Sequence, residues 1–297
     1  MISHAAAPLV GPSQAPALIT PNLIGRAATL ALHDELALSP KPGLVTLVDS
    51  GSHDDMDAHT FMRSLFALRG YFVRIAGLGA ANAPFDALER CGIEAEARML
   101  AATQGVNTHR GAIFSLGLLC AAAGATLCKG LSPTPALLRQ TVLDHWGQPL
   151  AARARRQPTL PGGIAARRCG LRSASEEAAL GFPVLFDTAL PALQAAAARG
   201  LDRPAMLLDT LFHVMATLDD SNLAHRGGLC GLRHAQHAAR GYLAAGGAAR
   251  PDGIAAALEI GRDFVGRRLS PGGAADTLAA ACLVARIGSM TPTFHMT

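Results

Sequence analysis

The chain has 297 residues, half of them hydrophobic but only 4% aromatic, and its formal net charge at pH 7 is +4. With two tyrosines, one tryptophan and no basic stripe between aromatic residues, it lacks the pattern of a nucleic-acid-binding surface. Its six cysteines form no CxxC pair, and they predict reduced packing residues in a cytoplasmic protein.

The first twenty residues are predicted to form a mobile arm. Pro8, Pro12 and Pro16 interrupt them, and they lack the basic segment with which a signal peptide begins. No linker-like stretch divides residues 21–290, so we expect one all-helical domain there and a short tail at residues 291–297. Alanine and leucine dominate this domain, which favours helices over strands.

Three helices are predicted in the first third of the domain, at residues 21–38, 58–77 and 84–103. The first has Thr20 as its N-cap and Pro21 in its first turn, and it carries Glu35 towards its C-terminal end. The second has Asp57 as its N-cap and a row of apolar residues along one face.

Between the first two helices lies a polar loop, residues 39–57, which Pro40, Pro42, Gly43 and Gly51 prevent from continuing either helix. A loop of this length in a compact helical domain is usually functional. Closely spaced aspartates repel one another unless a cation or a set of donors offsets their charge. We therefore expect chemistry on this loop, with a solvated acidic loop as the alternative. Its candidate residues are Lys41, Asp49, His53, Asp54, Asp55 and Asp57.

A second polar segment, residues 105–111, precedes a run without charged residues from position 111 to 128. That run is just long enough to span a membrane, but its serine, threonine and glycine residues favour a helix buried in the core. Asn107, His109 and Arg110 then lie at the N-terminus of a buried helix, where unpaired N–H groups and the helix dipole favour an anion. A plain connecting turn is the alternative.

Further helices are predicted at residues 134–145, 163–180, 184–198, 204–218, 229–244, 253–268 and 273–287, with an irregular connection at 153–161. A third polar segment, residues 219–228, joins two of these helices. No stretch alternates with period two. The sequence therefore predicts an all-α single domain of about ten helices, in which polar inter-helix loops form the active site.

Several well-known catalytic motifs are absent from the sequence. It contains no phosphate-binding P-loop, no GxSxG elbow and no HExxH motif. His234 and His237 lie one helical turn apart, but they lack a third ligand. What remains is a set of carboxylates, amides and cations at helix ends. This inventory fits magnesium-assisted handling of a phosphorylated substrate, because magnesium prefers hard oxygen ligands.

Five sequence blocks, in order, resemble those of a known family. They are Glu35 with SPKPGLV; SGSHDDMD followed by FMRSLFAL; GVNTHRGAIFSLGLL; GFP at 181–183 with LPAL at 190–193; and DSNLAHRGGLCGLR. Together they cover roughly residues 25–240 and resemble the triphosphoribosyl-dephospho-coenzyme A synthase family. The GVNTHRG block and the stretch from KPG to DDMD are long enough to be specific.

This resemblance implies an enzyme that joins ATP to 3'-dephospho-CoA with loss of adenine. The product, 2'-(5''-triphosphoribosyl)-3'-dephospho-CoA, is the precursor of an acyl-carrier-protein prosthetic group, and it passes to a system that modifies that carrier. The wording SGSHDDMDAHTF and the short chain resemble the malonate decarboxylase-associated member more than the citrate lyase one, which is the alternative. We expect neither nucleic acid nor membrane as a partner, and a homodimer is left open.

The implied reaction assigns roles to particular residues. Breaking the bond between ribose and adenine builds positive charge on the ribose, so the enzyme needs negative charge, a donor to the departing base and a base for the 2'-hydroxyl group. Catalytic roles are expected for Glu35, Glu177 and Asp220, and magnesium ligation for Asp49, Asp54 and Asp57. Contacts to the substrates are expected from Lys41, Ser52, His53, Asn107, His109, Arg110, Asn222, Arg226 and Gly227.

One block departs from the family pattern. An Arg-Gly-Glu-Ala sequence is expected before GFP, but this chain has Ser-Glu-Glu-Ala at residues 175–178. The glutamate is retained as Glu177, and its arginine partner is expected at Arg172. Asp220 is therefore favoured over Glu177 as the general base, and the choice between them stays open.

Two other functions also stay open at this point. A magnesium-dependent hydrolase of nucleosides or ADP-ribose would use the same carboxylates but admit water as the acceptor. Adenine release without dephospho-CoA would distinguish it. A non-catalytic helical adaptor would use the polar segments only as helix caps, and it would bind no ATP.

Overall fold

The structure, a computed structural model, describes residues 19–290. Residues 1–18 of the predicted arm and the predicted tail at 291–297 lie outside the described residues. Over the described range there is no strand, and the twelve α-helices confirm the predicted all-α single domain. They are α1 (Pro21–Ala37), α2 (Ala58–Ala80), α3 (Phe85–Ala102), α4 (Arg110–Cys128), α5 (Pro135–Ala154), α6 (Pro161–Cys169), α7 (Ala174–Ala179), α8 (Leu190–Ala198), α9 (Arg203–Thr217), α10 (Ser221–Ala244), α11 (Gly253–Gly266) and α12 (Gly272–Ser289).

The prediction of one helix at residues 163–180 is wrong, because the chain forms α6 and α7 there. Gly170 adopts φ +64° and ends α6 with a left-handed cap. Ser173 and Glu176 then form a capping box that starts α7. The helix predicted at 134–145 is also longer than expected and continues to Ala154.

The centre of the fold is formed by α1, α2, α4 and α12, which pack on one another. The crossing of α2 and α4 is close because small residues face each other. A Cβ atom added to Gly79 would lie 1.9 Å from the carbonyl oxygen of Ala121, and one added to Gly124 would lie 2.0 Å from that of Ala76. A larger side chain would force the two backbones apart. This close packing fixes α4, whose N-terminus carries part of the candidate site.

Helix α4 is long and apolar enough to cross a membrane by length and composition, and it alone among the described helices passes that test. In this fold 72% of its apolar window is buried by the rest of the protein. Leu116, Leu119 and Cys120 are fully buried. The structure therefore agrees with the interpretation of this segment as a core helix.

The loop between α1 and α2 is anchored to the segment that follows α11. Ser52 Oγ donates hydrogen bonds to the carbonyl oxygens of Leu269, at 2.6 Å, and Phe264, at 3.2 Å. Gly43, at φ +69°, lies so close that an added Cβ atom would be 2.2 Å from the Leu269 carbonyl oxygen. The loop is thus a folded part of the domain, and its position depends on the C-terminal third of the chain.

The segment predicted as a polar loop at residues 219–228 is largely helical. Helix α10 begins at Ser221, and Gly228 kinks it with φ +63° and ψ −167°. Only glycine adopts that backbone conformation without considerable strain. Asn222 and Arg226 therefore lie on a helix, in its short part before the kink at Gly228, and not on a loop.

Candidate active site

Two opposite charges lie in the interior where α1 ends and the following loop begins. Lys41 Nζ bonds to Glu35 Oε1, and their side chains are 0% and 5% exposed. Burial lowers the pKa of the Lys41 ammonium, and the neighbouring Glu35 carboxylate opposes that effect. Desolvation makes a buried ion pair expensive, so such a pair with a perturbed pKa indicates a functional site.

His109 lies beside this pair as the residue that precedes α4. Its Nδ1 atom is 2.6 Å from Ser64 Oγ, and its ring meets the Phe61 ring edge-on, with centroids 4.9 Å apart. The Nε2 atom is buried and has no hydrogen-bond partner among the described residues. Burial, with a smaller effect of the Lys41 charge, lowers the pKa of His109 to about 3. The ring is therefore neutral at pH 7, and it can contact a ligand as a neutral donor or acceptor.

Asp276, on the second turn of α12, belongs to the same interior group. It is half-buried, and it accepts a hydrogen bond from the backbone N–H of Ala112 at the start of α4. A Cβ atom added to Gly111 would lie 1.9 Å from Asp276 Oδ2, so the glycine leaves room for the carboxyl group. Burial and the nearby Glu35 and Asp220 charges raise the pKa of Asp276 well above its usual value.

The sequence predictions did not include Asp276. It is the single acidic residue in α12, where small and apolar residues predominate. A lone aspartate in an apolar, alanine-rich helix is the signal that could have identified it, because such a side chain needs a polar environment in the fold.

Asp220 connects the N-termini of two helices. Its Oδ1 atom accepts hydrogen bonds from the backbone N–H groups of Asn222, at 2.9 Å, and Leu223, at 3.3 Å, and its Oδ2 atom accepts one from Ala274 at 3.0 Å. The residue is 2% exposed. Burial raises the pKa of Asp220 to about 6, although the backbone donors favour the ionised form. The carboxyl group therefore caps α10 and holds the start of α12 against it.

Three predicted substrate contacts are brought together by Arg226. Its guanidinium group donates to the carbonyl oxygens of Ser52, at 3.1 Å, and Arg268, at 3.2 Å, and to His53 Nδ1 at 2.9 Å. Because a guanidinium group only donates, His53 Nδ1 is the acceptor, and Nε2 carries the proton and donates to Ser270 Oγ at 2.8 Å. Burial and the Arg226 charge lower the pKa of His53, which keeps the ring neutral.

Glu177 lies in a separate ion pair. Arg172 Nη1 donates to Glu177 Oε2 at 2.9 Å, so the geometry agrees with the partner expected from the altered sequence block. The other carboxylate oxygen accepts a hydrogen bond from the backbone N–H of Val184 at 2.6 Å. The backbone N–H of Arg172 donates to Asp219 Oδ2 at 3.3 Å, which connects this pair to the residue before Asp220.

The three predicted magnesium ligands point to different surroundings. The Asp54 side chain is 92% exposed, whereas Asp49 Oδ1 accepts a hydrogen bond from Gly51 N at 2.8 Å. Asp57 caps α2, where its Oδ1 atom accepts bonds from the N and Oγ1 atoms of Thr60, both at 2.8 Å, and these bonds lower its pKa. Within residues 19–290, no group of three or more His, Cys, Asp or Glu side chains is arranged to hold a metal ion.

This donor set fits one kind of magnesium site. Magnesium usually keeps several waters and binds one or two protein carboxylates together with substrate phosphates. Asp54 is exposed enough to contribute one such ligand to a metal ion that arrives with a triphosphate. The described residues do not fit a cage made of protein ligands alone.

The remaining predicted contacts lie at helix ends. Asn107 Oδ1 accepts a hydrogen bond at 3.1 Å from the backbone N–H of Arg110, the first residue of α4, and Arg110 Nε donates to Glu96 Oε1 at 2.7 Å. Asn222 is half-buried on the first turn of α10. A Cβ atom added to Gly227 would lie 2.6 Å from Leu269 Cδ2, so this glycine makes room for a packing residue.

The fold thus arranges the candidate residues in two sets. The interior set combines two ionisable carboxyl groups that lack a cationic partner with one ion pair and one neutral ring. Carboxylates in such a low-dielectric environment can stabilise positive charge that develops on a substrate. The interior set is Glu35, Lys41, His109, Asp220 and Asp276, and the more exposed outer set is Ser52, His53, Asp54, Asn107, Arg110 and Arg226.

Comparison with known proteins gives a consistent result. The family described as CitG, ATP:dephospho-CoA triphosphoribosyl transferase, matches residues 21–293. A protein of Acinetobacter calcoaceticus, named probable 2-(5''-triphosphoribosyl)-3'-dephosphocoenzyme-A synthase, is 35% identical over 260 residues, which cover 88% of this chain and 89% of the relative. Proteins with the same name from Vibrio cholerae serotype O1 (strain M66-2) and Photobacterium profundum are 39% and 36% identical, over 89% and 92% of this chain and 88% and 90% of the relatives. No solved structure matches the chain.

Proposed function

The chain belongs to the CitG family of ATP:dephospho-CoA triphosphoribosyl transferases, and from this premise we propose how its residues catalyse the transfer and which pathway it serves. As a member it is a transferase, and its family implies ATP and 3'-dephospho-CoA as substrates. In the proposed reaction the triphosphoribosyl group of ATP moves to the 2'-hydroxyl group of dephospho-CoA, and adenine leaves.

The interior set is the single observation that supports this mechanism best. Cleavage of the bond between ribose C1' and adenine N9 leaves positive charge on the ribose. The charges of Glu35 and Asp220 are close enough to Asp276 to raise its pKa, so these two carboxylates supply the negative charge of the interior, and neutral His109 adds no positive charge to oppose them. Such preorganised negative charge stabilises an oxocarbenium-like transition state more than it stabilises the neutral sugar.

The outer set supports binding of the triphosphate, which the reaction keeps intact. Arg110 at the start of α4 and Arg226 on the first part of α10 are cations with exposed surface, and Lys41 is a buried cation whose charge lowers the pKa of His109. Guanidinium groups bind phosphate oxygens well because their donors form a planar fork. Magnesium, when bound, neutralises part of the triphosphate charge. Asp49, Asp54 and Asp57 remain its proposed protein ligands, and Asp54 is the most accessible of them.

We keep Asp220 as the proposed base for the 2'-hydroxyl group, with Glu177 as the alternative. A pKa of about 6 leaves Asp220 mostly ionised at pH 7 and still basic enough to accept a proton. To do so it must exchange one backbone hydrogen bond for the hydroxyl group. Glu177 would have to release Arg172 or the Val184 backbone.

Two variants, Asp220→Asn and Glu177→Gln, decide between these residues. Each is assayed for adenine release and for the coupled product. We expect the Asp220 variant to lose both activities. Turnover near that of the wild type in Asp220→Asn, together with loss in Glu177→Gln, would transfer the role of base to Glu177.

The assay that tests the function itself compares adenine release from ATP with and without 3'-dephospho-CoA. We expect release that depends on the acceptor and equals the amount of coupled product. Adenine release that proceeds equally well without the acceptor would instead establish the hydrolase. Asp209→Asn is the control for the loss of a buried carboxylate elsewhere in the protein. Asp209 is buried and accepts a hydrogen bond from Ala248 N outside the candidate site.

We further propose that the product serves malonate decarboxylase, with citrate lyase as the alternative destination. The sequence SGSHDDMDAHTF, at residues 50–61, supports this assignment by resemblance. In cells that lack this chain, mass spectrometry should find the malonate decarboxylase carrier protein without its prosthetic group. Loss of the group from the citrate lyase carrier alone would reverse the assignment.

A further inference from the structure

We propose that the carboxyl group of Asp276 is the proton donor to the departing adenine. This inference rests on the proposed triphosphoribosyl transfer. It supplies the one chemical requirement of that reaction for which the sequence offered no residue, namely a donor to the leaving base. Neither the family-like sequence blocks nor the names of the relatives point to Asp276.

The position of Asp276 allows contact with a substrate. The residue is half-buried on α12, facing the start of α4, and its carboxyl group fills the space above Gly111 that a Cβ atom would occupy. Among the described residues, no lysine, arginine or histidine forms an ion pair with it. Its carboxyl group is therefore held in place by the Ala112 N–H group and is not committed to a cation.

The surroundings of Asp276 favour its protonated form. Glu35 faces it from α1 and Asp220 from the start of α10, and both charges oppose its ionisation. Lys41 is bonded to Glu35, and His109 at the start of α4 is neutral. Burial adds to this effect, and the pKa of Asp276 is raised well above the usual value. A carboxyl group whose pKa is raised holds its proton more readily, and in that form it can donate a hydrogen bond and act as a general acid.

An independent observation indicates that a polar ligand belongs here. His109 is 3% exposed, yet its Nε2 atom has no hydrogen-bond partner among the described residues. A buried polar atom without a partner is costly, which is why such atoms normally bond to a ligand or an ordered water. His109 lies two residues before Gly111 and three before Ala112, so the same backbone turn carries the ring and the group that holds Asp276. A purine has several ring nitrogens, and it can accept hydrogen bonds from a carboxylic acid and a neutral imidazole.

The proposed step balances as follows. The bond between ribose C1' and adenine N9 breaks, and its electron pair goes to the purine. The Asp276 proton moves to a ring nitrogen, so adenine leaves as a neutral molecule and Asp276 becomes a carboxylate. The 2'-oxygen of dephospho-CoA bonds to C1', and its proton goes to the general base. Exchange of one proton with solvent at each carboxyl group restores the enzyme.

A change of leaving group tests this role. Asp276→Asn is assayed with ATP and with the 5-triphosphate of 4-nitrophenyl β-ribofuranoside, whose 4-nitrophenolate leaves as a stable anion and needs no acid. With ATP we expect a loss in kcat of about 100- to 10,000-fold, the usual contribution of general acid catalysis. With the nitrophenyl substrate we expect less than about a ten-fold loss. Asp209→Asn should treat both substrates alike, because it removes a buried carboxylate outside the site.

Each result has a definite meaning. Equal losses with both substrates, or near wild-type turnover of ATP, would overturn the role of Asp276 while leaving the proposed function intact. If the wild type released neither adenine nor nitrophenolate in the presence of dephospho-CoA, the proposed function would fail first. Glu35→Gln should lose activity with both substrates, because it removes negative charge that the ribose needs whatever group departs.

Discussion

The interior set and the acidic loop at residues 47–57 contain similar side chains, but the fold places them in opposite environments. The Lys41 and Glu35 side chains are 0% and 5% exposed, and they meet across the end of α1. Asp54 and Asp55 are adjacent in sequence, yet their side chains are 92% and 62% exposed. The acidic cluster of the loop is therefore solvated, whereas the charges of the interior set are not.

This difference determines what each region can do. In water, neighbouring carboxylates interact weakly and their charge is screened, whereas buried groups interact strongly and change one another's pKa. The loop is suited to meet a hydrated, highly charged partner such as a magnesium-bound triphosphate. The interior set is suited to act on the bond that breaks. The following experiments test this division of roles.

The largest effect is expected from breaking the interior ion pair. Lys41→Met leaves the Glu35 carboxylate buried without its partner, which should lower the free energy of unfolding by about 3–5 kcal/mol. The double variant Glu35→Gln with Lys41→Met should recover at least half of that loss in a urea titration. The exposed pair of Arg74 and Glu94 is the control, because its side chains are 55% and 50% exposed. Arg74→Gln should destabilise the protein far less than Lys41→Met, because the exposed pair is solvated, and equal costs for the two variants would contradict the division.

Two groups of the interior set, His109 and Asp220, should make the free energy of unfolding depend on pH in opposite directions. The pKa of His109 falls from 6.5 to about 3 on folding, so its contribution to stability is present above pH 6.5 and is lost as the pH falls. The pKa of Asp220 rises from 3.8 to about 6, so its contribution is present below pH 3.8 and is lost as the pH rises. Between these limits the two slopes oppose each other.

Single variants should therefore reveal slopes that the wild type conceals. Relative to the wild type, Asp220→Asn should gain about 1.4 kcal/mol of stability per pH unit on going from about pH 4.5 to about pH 5.5, and His109→Gln should lose the same amount. Urea titrations at the two pH values measure both. Slopes of the same sign in the first two variants would show that the assignment of burial effects is wrong.

The acidic loop should affect metal-dependent binding and leave folding alone. Asp54→Asn should weaken magnesium-dependent ATP binding by about ten-fold, the effect expected for loss of one oxygen ligand or of the group that orients it. Its free energy of unfolding should stay within about 0.5 kcal/mol of the wild type. Glu259→Gln is the control, because Glu259 is an exposed carboxylate outside the loop, and it should change neither quantity. An unchanged magnesium dependence in Asp54→Asn would remove it from the proposed metal ligands.

The smallest effect concerns Arg110 and its partner. Arg110→Gln should raise the KM for ATP by about three- to ten-fold without changing helix content, because it removes a partly screened phosphate contact. Glu96→Gln releases the arginine from its ion pair and should lower the KM. Circular dichroism and steady-state kinetics measure the pair of variants. A rise in KM for both would indicate that the ion pair, and not the free guanidinium group, matters for binding.

Local signals were sufficient to predict most of the fold. Helices α1, α2 and α5 each begin with a capping residue of a type that short-range sequence patterns identify. The capping residues are Thr20, Asp57 and Thr134, and the side chain of each accepts a hydrogen bond from the backbone N–H group three residues later. The break at Gly170 had a local signal too, since a glycine that follows basic residues commonly ends a helix. The apolar pattern on both sides outweighed it in the prediction.

The composition of the site was harder to predict, because it depends on contacts between distant residues. The pattern of α12 gives no reason to place Asp276 against Gly111, which lies 165 positions earlier. The sequence also gives no reason to expect the π-helical turn at Val184–Ala189, because its hydrogen bonding is set by packing. Sequence could identify the polar segments at the helix ends. It could not show that Asp54 is solvated while Lys41 is buried, because burial is a property of the assembled fold.

The anchoring of the 39–57 loop has a consequence for how the protein is made. Ser52 and His53 are held by Leu269 and Ser270, and the interior set includes Asp276. A growing chain that ends before Leu269 contains neither anchor nor acid, so the early loop has nothing to close upon. The candidate site therefore becomes complete only after Asp276 has been added to the growing chain, and shorter fragments should not consume ATP.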